Sequence, residues 1–178
     1  MLKSYRKNAQ TILVKQATTH TLKILKIFKL PNPLAHLPIV ESLVKGPVPN
    51  TVEPEACCVQ DGQTYVLLEH LPTFNTIRSI KIKQEEFDFD EKIVSDMVSQ
   101  ILKAISGLHG RGILHGSVDL DHVLCSEEVP NRTKTIYRLV GVEQSLQAPC
   151  DRKYFNQASL QVESHFLAPE MFSSDSFD

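Results

Sequence analysis

The chain has 178 residues, 42% hydrophobic and 22% charged, with a formal net charge of −2 at neutral pH. That is enough chain for one domain of ordinary size with a real core, and a near-neutral balance argues against a nucleic-acid partner. No apolar run approaches the length of a membrane span, so no membrane partner is expected, and the missing secretory leader points to the cytoplasm.

The first forty residues hold Lys3, Arg6, Lys7, Lys15, Lys23, Lys26 and Lys29 and no acid. A basic organelle presequence and a set of strands with Lys-rich outer faces both fit, and the alternation favours strands. Thr11–Lys15 is rich in β-branched residues, and Thr18, Thr19 and His20 read as a polar turn. A second strand follows, with Leu22, Ile24, Lys26 and Phe28 on one face. Three prolines precede a short helix expected from about Leu37 to Lys45, ending at Gly46. "EACCVQDGQTYVLLEHL" reads as a hairpin turning at Asp61 and Gly62 and returning through Thr64–Leu68. "TIRSIKIKQEEFDFD" suggests a short helix and an acidic linker beyond a hinge near residue 70.

The strongest element is a long helix whose Ile93, Val94, Met97, Val98, Ile101, Leu102, Ile105 and Leu108 form one stripe at helical period. Asp88 or Asp90 can cap its start and Gly110 its end. Short strands are expected at Ile113–Leu114, Val123–Cys125 and Ile136–Val140, with a loop from Ser126 to Thr135. Residues beyond Glu143 lack periodicity and read as a long loop. Cys57, Cys58, Cys125 and Cys150 form no C-x-x-C pair and read as reduced thiols. Neighbouring Cys57 and Cys58 on a strand face opposite sides, which disfavours a shared metal. The Asn131–Thr133 sequon, without a secretory signal, reads as chance.

Several of these strings, in order, resemble the eukaryotic protein kinases. "LHGRGILHGSVDLDHVLC" is similar to the family's catalytic loop, written H-R-D-L-x-x-x-N. "YRLVGVEQS" is similar to the strand entering D-F-G, and Ala168–Glu170 matches A-P-E. "LKILKIF" resembles strand three with its lysine, and "DGQTYVLLEHL" the run into the hinge. The resemblance implies an α+β, two-lobe kinase-like fold: a small β-rich lobe over about residues 1–70 and a partial, mainly helical lobe over about 71–178. The family continues well past A-P-E, so a short form or a piece of a longer protein is expected.

Carried over residue by residue, the resemblance implies a degenerate site. His115 matches the family's His, and Gly116 replaces an Arg that can hold a phosphorylated loop. Ser117 stands where the catalytic Asp would be, and a hydroxyl has no useful basicity at neutral pH. His122 replaces the Mg-binding Asn, and imidazole prefers softer metals. Gly141 replaces the D-F-G Asp. No glycine precedes Gly46, so the Gly-rich phosphate loop is missing. Lys26 is the best match for the strand-three lysine, with Lys23 and Lys29 as register alternatives and Glu41 as its helix partner. Ile24 crowds the adenine position, and Glu69 and Leu71 fall at the hinge side of a nucleotide pocket.

The expectation is therefore a catalytically inactive kinase-like domain, not an enzyme, working as a scaffold or allosteric regulator through a protein partner. No metal and no cofactor are expected, with ATP binding weak or absent. An atypical ATP-dependent phosphotransferase using Asp119, Asp121 or Glu143 is the alternative, although Asp119 is expected to point elsewhere and Glu143 to need a different backbone path. A zinc site from His115, His122, Cys125 and Cys57 is a further alternative whose spacing fits no usual ligand pattern. His115 is expected to bond backbone inside the loop.

Overall fold

Apolar alternation and a tight polar turn produce the first hairpin. β1 (Ala9–Lys15) and β2 (Leu22–Phe28) pair antiparallel, with Thr11 opposite Lys26 and Leu13 opposite Ile24. In this computed structural model the described residues are 9–28, 33–83, 90–126, 135–148, 150–151 and 176–177. The basic N-terminal residues, Lys29, Asp88, the sequon and the A-P-E string lie outside them.

The second hairpin turns where Asp61 and Gly62 both adopt positive φ, joining β3 (Pro54–Gln60) to β4 (Gln63–Glu69). β4 also pairs with β2, setting Lys26 opposite Val66. The result is a four-stranded antiparallel sheet in the order β1-β2-β4-β3. α1 (Pro33–Lys45) packs against it and is longer than the expected Leu37–Lys45. Pro33 supplies its first residue, where no amide bond is lost, and the helix tolerates Pro38 one turn later. Phe28, Val40, Val52, Val66 and Leu68 form the core beneath this sheet.

The remainder is led by two helices, α2 (Ile77–Lys83) and α3 (Glu91–His109). Asp90 caps α3, its carboxylate accepting from the Ile93 amide at 2.7 Å. The stripe on α3 is wider than the surface that covers it. Ile101, Ala104 and Leu108 are buried, whereas Val98 and Leu102 are 44% and 57% exposed. Gly110 ends the helix in an ordinary right-handed conformation, and the sharp turn falls instead at Gly112, with φ +67°.

β5 (Phe74–Thr76), β7 (Val123–Ser126) and β8 (Tyr137–Leu139) form a second antiparallel sheet. β6 (Ile113–Leu114) pairs with β9 (Leu146–Gln147), and β10 (Cys150–Asp151) with β11 (Ser176–Phe177). The expected long loop beyond Glu143 thus contains short strands, set by distant partners and not by local pattern. A second core gathers Ile39 and Leu43 of α1 with Ile77, Ile101, Leu108, Ile113, Leu139 and Val142. The sheets are also tied directly: the Val52 amide donates to Leu139 O at 2.9 Å, and the Leu139 amide to Asn50 O at 2.8 Å. Gln100 of α3 reinforces this seam, accepting from the Tyr137 amide and Asn50 Nδ2 and donating to Thr135 O.

Candidate active site

β2 carries Ile24, Lys26 and Phe28 on its inward face, and Phe28 anchors that face in the core. Lys26 is held there with only 19% of its side chain exposed. Its Nζ donates to Glu143 Oε1 at 2.5 Å, across 117 residues of sequence, and the Glu143 side chain is 1% exposed. A buried ion pair gains little over apolar packing, but removing one partner strands the other charge at a cost of about 3–5 kcal/mol.

Two expectations are corrected by this geometry. Lys26 does not pair with Glu41. The buried face of α1 is set by Ile39, Val40 and Leu43, which leaves Glu41 exposed, near Cys57 of β3 and without a bond to Lys26. Lys23 is no register alternative either, because it bonds Glu55. Glu143, expected to stay out of the site, is carried in by a changed backbone path. Gly141 takes φ +93°, and a 3-10 turn over Val142–Gln144 follows, pinned by fully buried Val142.

Gly141 also fits a narrow gap. A Cβ there would lie 2.8 Å from His122 Cδ2 and 3.6 Å from His115 Nε2. The loop from His115 to His122 closes on itself around that gap. His115 Nε2 lies 2.9 Å from Val140 O, so that nitrogen carries the proton and donates, leaving Nδ1 to accept from the Ser117 amide at 3.3 Å. The expected backbone bond of His115 is thus present.

Asp119 does not point away. Its Oδ1 accepts from His122 Nδ1 at 2.7 Å and from the amides of Asp121 and His122 at 2.9 and 3.1 Å. Its Oδ2 lies 3.4 Å from Ser117 Oγ, and Ser117 Oγ is 3.4 Å from His122 Nδ1. Burial pushes this carboxyl up, but the His122 bond and charge, with the two amides, outweigh it and hold the pKa below the ordinary value. The position expected to have lost its acid is therefore flanked by an ionised one. Asp121 turns outward to Arg78, Oδ2 to Nε 2.8 Å, while the Arg78 amide donates to Leu120 O. Arg78 so clamps the loop from α2.

A group of apolar side chains packs under the sheet that carries Lys26. Ile24, Cys57, Leu71, Leu124 and Val140, all half-buried, pack against the core under the first sheet. The Glu69 carboxylate is engaged by Arg138 Nη1 at 2.5 Å, and that guanidinium stands 5.7 Å from the centre of the Phe74 ring. Leu124, Val140, Arg78 and Arg138 were not singled out from sequence. The alternation of Val123–Cys125 and the place of Val140 directly before Gly141 carried the available signal.

The zinc set does not assemble: Cys57 packs with one core and Cys125 with the other. Among the described residues no three His, Cys, Asp or Glu side chains gather to hold a metal. Nor is any helix among them long and apolar enough to cross a membrane.

No family model matches the sequence. Over 112 residues, 63% of the chain, it is 24% identical to the probable serine/threonine-protein kinase fnkE of Dictyostelium discoideum. The chain spans only 8% of that protein's length. Among solved structures, the crystal structure of Rad53 residues 1–466 in complex with AMP-PNP matches with a TM-score of 0.64 at 18% identity. That match covers 76% of this chain and 34% of the other.

The fold is protein kinase-like. The β1–β4 sheet with α1, followed by the region led by α3, is the mixed α+β kinase-like architecture implied by the sequence strings. The expectation of a non-enzyme is corrected. It rested on the missing Gly-rich loop and the missing acids at Ser117 and Gly141, yet the comparisons point to kinases, one relative being named a probable serine/threonine-protein kinase.

Proposed function

We propose that the chain is the core of an atypical ATP-dependent phosphotransferase acting on a hydroxyl of a protein substrate, with Lys26, Glu143 and Asp119 as its charged groups. The observation that carries this reading is the Lys26–Glu143 pair, with Ile24 on the same face of β2 as Lys26. Apolar side chains on the strand face that carries a fixed ammonium would suit a purine ring with its phosphates directed at the charge. The size of Ile24 would crowd a purine there and weaken its binding.

Phosphoryl transfer asks the protein mainly for positioning and charge stabilisation, because the transition state is loose and the substrate proton leaves late. Lys26 neutralises phosphate oxygens. Asp119, kept ionised by His122 and two amides, orients the incoming hydroxyl instead of stripping it early. Ser117, between Asp119 and His122, adds a hydroxyl dipole to that alignment. Mg²⁺ is content with one or two carboxylates, phosphate oxygens and water. Among the described residues no cluster of carboxylates gathers to hold such an ion, so phosphate oxygens and water would have to supply most of its ligands, and the ion would add positive charge to the phosphates. His122 and Gly141 have no oxygen side chain to offer.

The test is transfer of labelled γ-phosphate from Mg-ATP to protein or peptide hydroxyls. Lys26→Met and Asp119→Asn should each lower kcat/KM by about 10²–10³-fold, the usual loss for one preorganised electrostatic group. Equal rates in wild type and Lys26→Met would refute the reading.

A protein-binding role is the second reading. Val98 and Leu102 on α3 support it as exposed apolar side chains. Leu102→Glu should abolish partner association while leaving the transfer rate unchanged.

A further inference from the structure

We infer that the groove between the outer face of α3 and the loop after α1 is a docking site for a short acidic segment of a partner protein, one that carries leucine among its carboxylates. The inference rests on the protein-binding reading of α3 and names the chemistry of the partner.

The groove is built by local rules. Ser99, Leu102, Lys103 and Ser106 stand at i, i+3, i+4 and i+7, so they share one face of α3. Pro49 of the loop and Gly107 complete the lining of an open groove of about 610 Å³. Helix and loop approach this closely only because residue 107 is glycine. A Cβ there would lie 2.7 Å from Val48 Cγ1 and 3.9 Å from Pro49 Cδ. The loop is also fixed before any partner arrives. Val48 is buried, and its carbonyl accepts from Thr51 Oγ1 at 2.8 Å. Asn50 Nδ2 donates to Gln100 Oε1 of α3 at 3.1 Å, and Arg111 donates to the carbonyls of Gly46 and Pro47. A preformed groove saves a ligand the entropy of ordering it.

Leu102 supplies the apolar contact. At 57% exposure it is the most exposed large apolar side chain among the described residues, and Val98, one turn earlier, is 44% exposed. A partner that covers them removes apolar area from water. The charge around the groove then selects among apolar partners. Residues 42–52 and 97–118 contain Lys45, Lys103 and Arg111 and no acid, on a chain whose net charge is −2. All three cations are exposed, and none pairs with a carboxylate among the described residues. Carboxylates on a partner meet these cations with no resident acid to displace, whereas a basic segment of equal apolar content is repelled. Ser99 and Ser106 add hydroxyls for the backbone of the segment.

The experiment is fluorescence-anisotropy titration of the full chain with short labelled peptides. One has leucines among glutamates, one the same leucines among lysines, and one serines in place of the leucines among glutamates. Wild type should bind the leucine–glutamate peptide at least about tenfold more tightly than either of the others, with the preference falling as salt is raised. Lys103→Glu should invert the preference between the glutamate and lysine peptides. Leu102→Ser should weaken the leucine–glutamate peptide by about tenfold or more. Both side chains are exposed, so both variants should melt as wild type does. If either melts early, Lys103→Ala and Leu102→Ala, which suit a helix, should give smaller losses of the same sign.

Equal binding of the glutamate and lysine peptides, or a preference unmoved by Lys103→Glu, would overturn the acidic partner. Self-association of the chain in sedimentation, lost in Leu102→Ser, would overturn it too, by putting a second copy in the groove. The protein-binding reading of α3 survives either result. No binding of any peptide and no self-association would refute both.

Discussion

Gly141→Ala is the substitution that most directly tests the path bringing Glu143 to Lys26. At φ +93° the backbone occupies a region that side-chain-bearing residues avoid, at a cost of about 1–2 kcal/mol. The new Cβ would also sit 2.8 Å from His122 Cδ2. His122 cannot give way freely, because its ring is held at 2.7 Å by Asp119 and lies edge-on to His115. Crowding of this kind costs about 1–3 kcal/mol. Together the expected loss is about 2–5 kcal/mol, a large share of a typical domain's stability. Urea denaturation measures it as a fall in midpoint at constant slope. Adding His122→Ala relieves the contact and not the backbone, so the double-mutant cycle should recover about 1–3 kcal/mol. Gly141→Asp, which restores the family's acid, should destabilise at least as much. A Gly141→Ala loss below about 0.5 kcal/mol, the range of an ordinary surface change, or a cycle with no coupling, would refute the reasoning.

Asp119 gives a pH signature. Its folded pKa is depressed, so the stability it adds is fully present above the ordinary value of 3.8 and is lost as pH falls through the lower folded value. The stability gap between wild type and Asp119→Asn should therefore be constant near neutrality and shrink in strong acid, read as urea midpoints across pH. Gln100→Ala removes the acceptor of the Tyr137 amide and the donor to Thr135 O. It should cost about 1–3 kcal/mol with the denaturant slope unchanged, and a loss near zero would show that water replaces the side chain.

Elements with a strong local signal were readable from sequence. α3 followed from its period, β3 and β4 from the Asp61-Gly62 turn, and the inward register of Lys26 from alternation along β2. β5, β9 and β10 are two or three residues long, too short to show alternation, and they exist because distant strands pair with them. Glu41 was misplaced because neighbours in an alignment do not fix which face of a helix is buried, whereas Ile39, Val40 and Leu43 do. Glu143 was underestimated because D-F-G spacing assumes a regular path. One left-handed glycine and a 3-10 turn shift the available carboxylate by two residues. Asp119 was underestimated for a similar reason, since the turn that folds it back onto His122 is built from its own hydrogen bonds.

The seam between the sheets has a consequence for the order in which the chain assembles. Most pairings within the first sheet join near neighbours, but Asn50–Tyr137 spans 87 residues and Lys26–Glu143 spans 117. Closing loops of that length carries an entropic cost before any contact repays it, so such contacts form slowly. During synthesis β1 to β4 leave the ribosome long before Glu143 exists, and Lys26 waits with its ammonium uncompensated. The charged site thus forms only once both halves have folded and docked, and its closure reports that they have.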